Sequence, residues 1–130
     1  MPKAMIIIAA IVLVLHGLIH LMGTAVFMKL AEIKGLTYKT TLLGGRWDLG
    51  EGGIRVFGAL WAVAAIGFVA AAVALLAGWG WWRPVLVGVV LFSLALTTLD
   101  WSSAFRGAII NIAILAVLWL GPRIVSWFSR

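Results

Sequence analysis

The sequence predicts an all-α fold, an integral membrane bundle of four transmembrane helices, and three observations carry that expectation. Of 130 residues, 65% are hydrophobic, and the mean hydropathy is +1.18. Only 11% are charged, where a soluble domain would have about a quarter; that leaves too little polar surface to hold so apolar a chain in water. The apolar residues fall into four runs separated by charged, glycine-rich or tryptophan-rich segments. Without water to satisfy the backbone, such runs must be helical, and four are too few to close a barrel.

The first run, Ala4 to Met28, has no charge if both its histidines are neutral, and it exceeds the roughly 20 residues that cross a hydrocarbon core. Lys3 ahead of it imitates a signal peptide. The run is longer than such a segment, however, and no small-x-small site precedes the charged loop, so a retained helix over about 4–29 is expected. The second run gives a helix over about 54–77, with Arg55 at its mouth and small residues from Ala62 to Ala74 that admit a close neighbour. Gly17 and Gly23 of the first helix are the natural counterparts. The third, Pro84 to Leu99, reaches spanning length when Trp81, Trp82 and Trp101 are counted, over about 82–101. The fourth, over about 105–121, should stop at the helix-ending pair Gly121-Pro122. Short links make helices two, three and four antiparallel neighbours within one domain, 1–130.

The one long connection, about 31–53, reads T-Y-K-T-T-L-L, then Gly44-Gly45, then R-W-D-L. That is the form of a short β-hairpin with a two-residue turn, although it would have to lean on the bundle to be stable. An irregular glycine-rich loop is the alternative. Trp79, Trp81, Trp82, Trp119 and Trp127 would mark the face carrying the termini, and Trp47 and Trp101 the opposite face, as interfacial belts. The net charge of +6 comes from basic residues lying between or at the ends of the apolar runs. They are therefore expected to meet anionic headgroups and not nucleic acid. They divide almost evenly between the two faces, which leaves orientation open. The absence of cysteine excludes disulfides, thiolate nucleophiles and Fe–S clusters.

Polar groups inside a membrane are costly and need a partner or a purpose. His16 and His20 are one turn apart on one helix face, and Thr24 extends the stripe. Helix three adds Ser93, Thr97 and Asp100, helix four Arg106 and Asn111, and helix two Arg55. Because alternate helices run in opposite directions, His20, Thr24, Arg55, Thr97, Asp100, Arg106 and Asn111 fall in the half that faces the long loop. The expectation is a polar vestibule there, capped by the loop with Glu32, Asp48 and Glu51. His20 and Asn111 come out at similar depth, so a hydrogen bond between them is expected, as is an ion pair between Asp100 and Arg106. Three uses compete for this cluster: interhelical hydrogen bonds of about 1 kcal/mol or less each; a site for a small or amphipathic ligand, such as a quinone, lipid or ion; and a metal or haem site. His16 and His20, at i and i+4, could chelate one metal, but a third ligand is not evident. Both rings also project from the same side, so they cannot supply both axial ligands of a haem. The cofactor stays unassigned. Neither G-x-x-x-x-G-K-[ST] nor G-x-G-x-x-G occurs, and Ser102 and Ser103 have Asp100 nearby but no histidine at that depth, so no enzymatic activity is expected.

At Leu18-Ile19-His20-Leu21-Met22-Gly23, Trp101 and Gly107-Ala108-Ile109-Ile110-Asn111, the chain resembles a family of small bacterial four-helix membrane proteins. That family has no assigned function, and some of its members are labelled transporter permeases. The resemblance implies that His20 and Asn111 occupy motif positions, whereas His16 has no counterpart in the pattern. It also implies a multi-pass protein of the bacterial inner (plasma) membrane. The function expected is that of a non-enzymatic membrane protein, a homo-oligomer or a subunit of a larger complex, with a vestibule for a small or amphipathic ligand. An oligomeric transporter or channel protomer is the alternative, and a histidine-based metal or redox protein the third.

Overall fold

The computed structural model describes residues 2–128, with side chains through residue 123. Four helices follow in chain order: α1 (Lys3–Phe27), α2 (Gly50–Ala77), α3 (Trp82–Leu99) and α4 (Trp101–Phe128). Each is long and apolar enough to cross a membrane. Packing follows the chain: α1 against α2, α2 against α3, α3 against α4.

Close approach governs the first two interfaces. A β-carbon at Gly17 would come within 2.8 Å of Phe68 Cβ and 3.2 Å of the Ala65 carbonyl, and one at Gly23 within 2.9 Å of the Trp61 ring. From the other side, one at Gly58 would meet Phe27 Cβ at 3.0 Å. Gly17 therefore meets the expected small-residue stretch of helix two, at Ala65, whereas Gly23 makes room for Trp61, just ahead of that stretch. Between α2 and α3, Gly67 makes the same kind of room for Val89, at 2.6 Å. Phe68, Ala64, Ala71 and Ala72 of α2 are completely buried as a result.

The helix ends differ from expectation in two places, each for a local reason. α2 begins at Gly50, not Ile54, because the Asp48 carboxylate accepts the Gly50 N–H at 2.9 Å and Glu51 lies in the first turn, where a negative charge complements the helix dipole. α4 begins at Trp101 and does not stop at Gly121-Pro122; it runs on with Pro122 inside it. Proline has no N–H to give the carbonyl four residues back, which here is that of Leu118. The Arg83 guanidinium of α3 supplies the missing donor to the Leu118 carbonyl at 2.7 Å.

α1 ends in a Schellman arrangement: the Leu30 N–H reaches the Ala25 carbonyl at 2.8 Å and the Lys29 N–H that of Val26 at 3.1 Å. The residue in the left-handed position is Lys29, at φ 54, where glycine is usual and a side chain costs about 1 kcal/mol. In the long connection, β1 (Thr41–Leu42) and β2 (Trp47–Asp48) pair antiparallel, with Thr41 opposite Asp48 and Leu42 opposite Trp47. The hairpin is present, but its turn is not the two-residue Gly44-Gly45 turn. It is a 3₁₀ turn over Leu43–Gly45 plus Arg46, with Leu43, Gly44 and Gly45 all at positive φ. The pair leans on the helices through Leu42, which is completely buried.

Trp47, Trp79, Trp81 and Trp101 are exposed at or near helix ends, and Trp119 is exposed within α4; the Trp127 side chain and Arg130 lie outside the described residues. Trp61, by contrast, is buried in the middle of α2.

Candidate functional site

Four of the buried polar side chains, from α1, α3 and α4, meet in one place. His16, His20, Ser93 and Asn111 are each at most 4% exposed. His16 Nε2 lies 2.9 Å from Asn111 Oδ1, Asn111 Nδ2 donates to Ser93 Oγ at 2.8 Å, Ser93 Oγ lies 2.5 Å from His20 Nε2, and His20 Nδ1 lies 2.7 Å from the His16 carbonyl. The carbonyl can only accept, so His20 Nδ1 carries a proton. In a neutral imidazole its Nε2 must then accept from the Ser93 hydroxyl. Ser93 in turn accepts from the Asn111 amide, and the Asn111 oxygen accepts from His16 Nε2–H. Every donor finds an acceptor, and the cycle closes on the residue where it began. Running it in the opposite sense would set a lone pair of His20 against the His16 carbonyl. Two neutral histidines therefore select one direction and one tautomer each.

Aromatic rings wall this cycle. The His16 and His20 rings meet edge to face at 4.8 Å, Phe68 lies 4.8 Å from His16 and 5.1 Å from His20, and Trp61 lies 5.2 Å from His20. Trp61 Nε1 is buried with no hydrogen-bond partner among the described residues.

The expected bond between His20 and Asn111 is corrected: Asn111 bonds His16, and His20 reaches Asn111 only through Ser93. Asn111 lies about one helical turn nearer the start of α1 than expected, level with His16. Thr24 is buried but spends its hydroxyl on the Gly58 carbonyl at 2.8 Å, which ties α1 to α2. Thr97 bonds back to the Ser93 carbonyl within its own helix. Arg55 and Arg106 are exposed, and Arg106 lies over the Phe105 ring at 5.7 Å. The structure does not bring these two arginines to the cluster. For either imidazole to ligate a metal through Nε2, Asn111 or Ser93 would have to give up its hydrogen bond. Among the described residues, no three His, Asp or Glu side chains gather as ligands.

Asp100 forms a separate site at the junction of α3 and α4. Its expected partner Arg106 is replaced by Lys39 from the long loop, whose Nζ is 2.7 Å from Asp100 Oδ1 and donates to Ser102 and Ser103 at 2.9 and 3.0 Å. Among the described residues this buried oxygen has no partner besides the Lys39 ammonium. Burial pushes the Asp100 carboxyl above its ordinary range, and Lys39 pulls it back. Asp48 is held below its ordinary range by the Gly50 N–H and the Thr40 hydroxyl.

The open volume lies nearer the loop. A cavity of about 850 Å³ sits under residues 26–38. Val26, Leu30, Ile33 and Leu36 give it an apolar side; Lys29, Lys34 and Tyr38 give it a polar one, with Glu32 as its acid. The Lys29 ammonium stands over the Tyr38 ring at 4.6 Å and 3.5 Å from the exposed Glu51 carboxylate.

Sequence reasoning passed over three of these participants. Lys39 has no signature, since a lysine in a polar loop looks like any other. Trp61 had one, because a tryptophan seven residues beyond Ile54 is too deep for an interfacial belt. The cavity is made by the fold of the chain after α1, which no spacing rule describes. Comparison with protein-family models, with curated proteins and with solved structures finds no match for this chain. What the site does must follow from its own chemistry.

Proposed function

We propose that the chain spans the inner (plasma) membrane four times and is a non-enzymatic membrane protein that holds a small amphipathic ligand at its loop-facing end, as a homo-oligomer or as a subunit of a larger complex. The observation that carries this reading is the cavity under residues 26–38, with an apolar side and a polar side that carries two lysines and one acid, at the point where α1 leaves its apolar run. The His16–Asn111–Ser93–His20 cycle supports it from behind as a satisfied polar joint that fixes α1, α3 and α4 relative to one another. Its four side chains satisfy one another, and the unpartnered donor beside it is Trp61 Nε1.

The chain contains no cysteine, which makes topology directly measurable. Thr37→Cys in the long loop and Gly80→Cys between α2 and α3 should be labelled by an impermeant maleimide from opposite sides of the membrane. Labelling of both from one side would sink the four-pass reading. Protein purified in mild detergent should carry an amphiphile detectable by mass spectrometry, and Ala31→Trp, which fills the cavity, should displace it. An unchanged amphiphile content in Ala31→Trp would remove the cavity from the argument.

A second reading, an oligomeric transporter or channel protomer, is favoured by one observation: the four-membered polar cycle lies within helices that would cross the bilayer. It expects His20→Ala to abolish solute flux in liposomes while the oligomer persists.

A further inference from the structure

We infer that the cavity under residues 26–38 takes the phosphodiester headgroup of an anionic membrane lipid, with Lys29 and Lys34 as its cationic contacts and an acyl chain lying along Val26, Leu30 and Leu36. The inference rests on the membrane reading above and names the ligand of the same cavity. Three observations point to it.

The first is the division of the lining. Val26 is buried in the last apolar turn of α1, while Lys29 follows it by three residues and Lys34 stands on the turn beyond. Apolar and cationic surfaces therefore meet at the level where a bilayer changes from hydrocarbon to headgroup. A soluble anion would use only the second surface and a hydrocarbon only the first.

The second is the backbone at Lys29. It occupies the left-handed position of a Schellman cap at φ 54, where glycine would close the helix without strain. Strain of this kind collects at ligand clamps. Here it puts a cation at the mouth of the cavity, over Tyr38.

The third is the charge balance: two lysines, Lys29 and Lys34, against one acid, Glu32, leave the lining net cationic. Lys39, the other lysine of this loop, is committed to the buried Asp100. The carboxylate that Lys29 meets is Glu51, at 3.5 Å, and the side chains of that pair are 53% and 77% exposed. An anionic phosphate can take Lys29 from so weakly held a partner, and Tyr38 adds a hydroxyl donor in the same wall.

The test uses the full chain reconstituted in phosphatidylcholine bilayers containing trace spin-labelled phosphatidylglycerol or spin-labelled phosphatidylcholine. The motionally restricted fraction of each label is read by electron spin resonance. The wild type should restrict phosphatidylglycerol preferentially, and Lys29→Gln and Lys34→Gln should each lower that selectivity about fivefold. Arg46→Gln with Arg55→Gln, both outside the cavity, should change it less than twofold; an equal loss there would overturn the proposal in favour of diffuse surface charge. Lys29→Gly separates fold from ligand, because it relieves the cap: it should raise the melting temperature while selectivity falls. Unchanged selectivity in Lys29→Gly would overturn the proposal. Full competition by millimolar glycerol phosphate would also overturn it, by showing that free phosphate suffices. A wild type that inserts but shows no preference defeats the lipid headgroup alone, whereas a chain that does not insert defeats the membrane reading with it.

Discussion

α2 and α4 have the same length, 28 residues each, and are held in opposite ways. Of the most apolar stretch of α2, 44% of residues are buried, against 11% for that of α4. α2 presents Gly58, Ala64, Ala65 and Gly67 to its neighbours, and α1 and α3 come within van der Waals contact of its backbone. α4 turns Ile109, Ile112, Val117 and Trp119 outward and is fastened at a few points: Asn111 in the polar cycle, Ala108, the contact of Gly107 with the Thr97 methyl, and the Leu118 carbonyl under Arg83. Between helices in lipid, apolar area supplies no drive to associate, since the surroundings are equally apolar. Close packing and hydrogen bonds are what remain. α2 relies mostly on the first, whereas α4 adds the second to the partial packing of Ala104, Ile114, Leu115 and Leu118 against the core.

Crowding the close-packed interface should therefore cost most. Gly17→Val puts a branched side chain against Phe68 Cβ and the Ala65 carbonyl, and neither can retreat without moving a helix. A loss of about 3 kcal/mol is expected, measured as reversible unfolding in mixed micelles by circular dichroism. A variant within 0.5 kcal/mol of wild type, on the usual scale of surface substitutions, would mean that α1 and α2 are not packed this tightly.

The loop-to-junction ion pair comes next. Lys39→Gln leaves Asp100 buried and unpaired. About 2 kcal/mol should be lost at neutral pH, less than for a fully buried pair because Lys39 keeps part of its side chain in solvent. The pH dependence has a definite sign. Asp100 already has a folded-state carboxyl raised above 3.8 by burial, so the stability it contributes is complete below the unfolded value and declines as pH rises through the folded one. Without Lys39 the folded value climbs further. The deficit of Lys39→Gln should then shrink on acidification towards pH 4, and a deficit that grew on acidification would contradict the burial argument. Asn111→Ala is the matching cut on α4. It strands His16 Nε2–H and one bond of Ser93, for about 1–2 kcal/mol. The loss should fall on α4, read as faster amide exchange there than in α2.

The helices were legible before the fold because hydropathy records the solvent a segment must tolerate, and each apolar run became one helix. Their polar stripe was legible too: His16, His20 and Asn111 stood out because polar atoms are rare in such runs, and all three are buried. The partners within the stripe were not. A one-turn error in depth moved Asn111 from His16 to His20, and only side-chain geometry distinguishes direct contact from contact through Ser93. Asp100 and Lys39 lie 61 residues apart in sequence, and their pairing depends on how the loop returns over the α3–α4 junction. Pro122 misled for a related reason. The rule that proline ends a helix assumes that no outside donor reaches the orphaned carbonyl, and Arg83 is such a donor.

That last contact yields the smallest predicted effect and the most specific one. If Arg83 is needed because Pro122 leaves the Leu118 carbonyl without its N–H, the two residues are energetically coupled although the link between them is a backbone atom. Arg83→Met alone should cost about 0.5–1 kcal/mol, the size of a single partly exposed hydrogen bond. Pro122→Ala alone should be neutral or slightly stabilising, because alanine restores a helical donor to a carbonyl already served. In the double variant the cost of losing Arg83 should shrink towards zero, since the alanine N–H now satisfies Leu118. A double-mutant cycle measures that difference directly. Additive effects would mean that Arg83 serves the helix end only as a charge, through its place beside the last turns of α4, and that α4 continues past Pro122 without outside help. A coupling of the predicted sign would instead show that α4, even where it is least buried, is held by a polar contact made to measure.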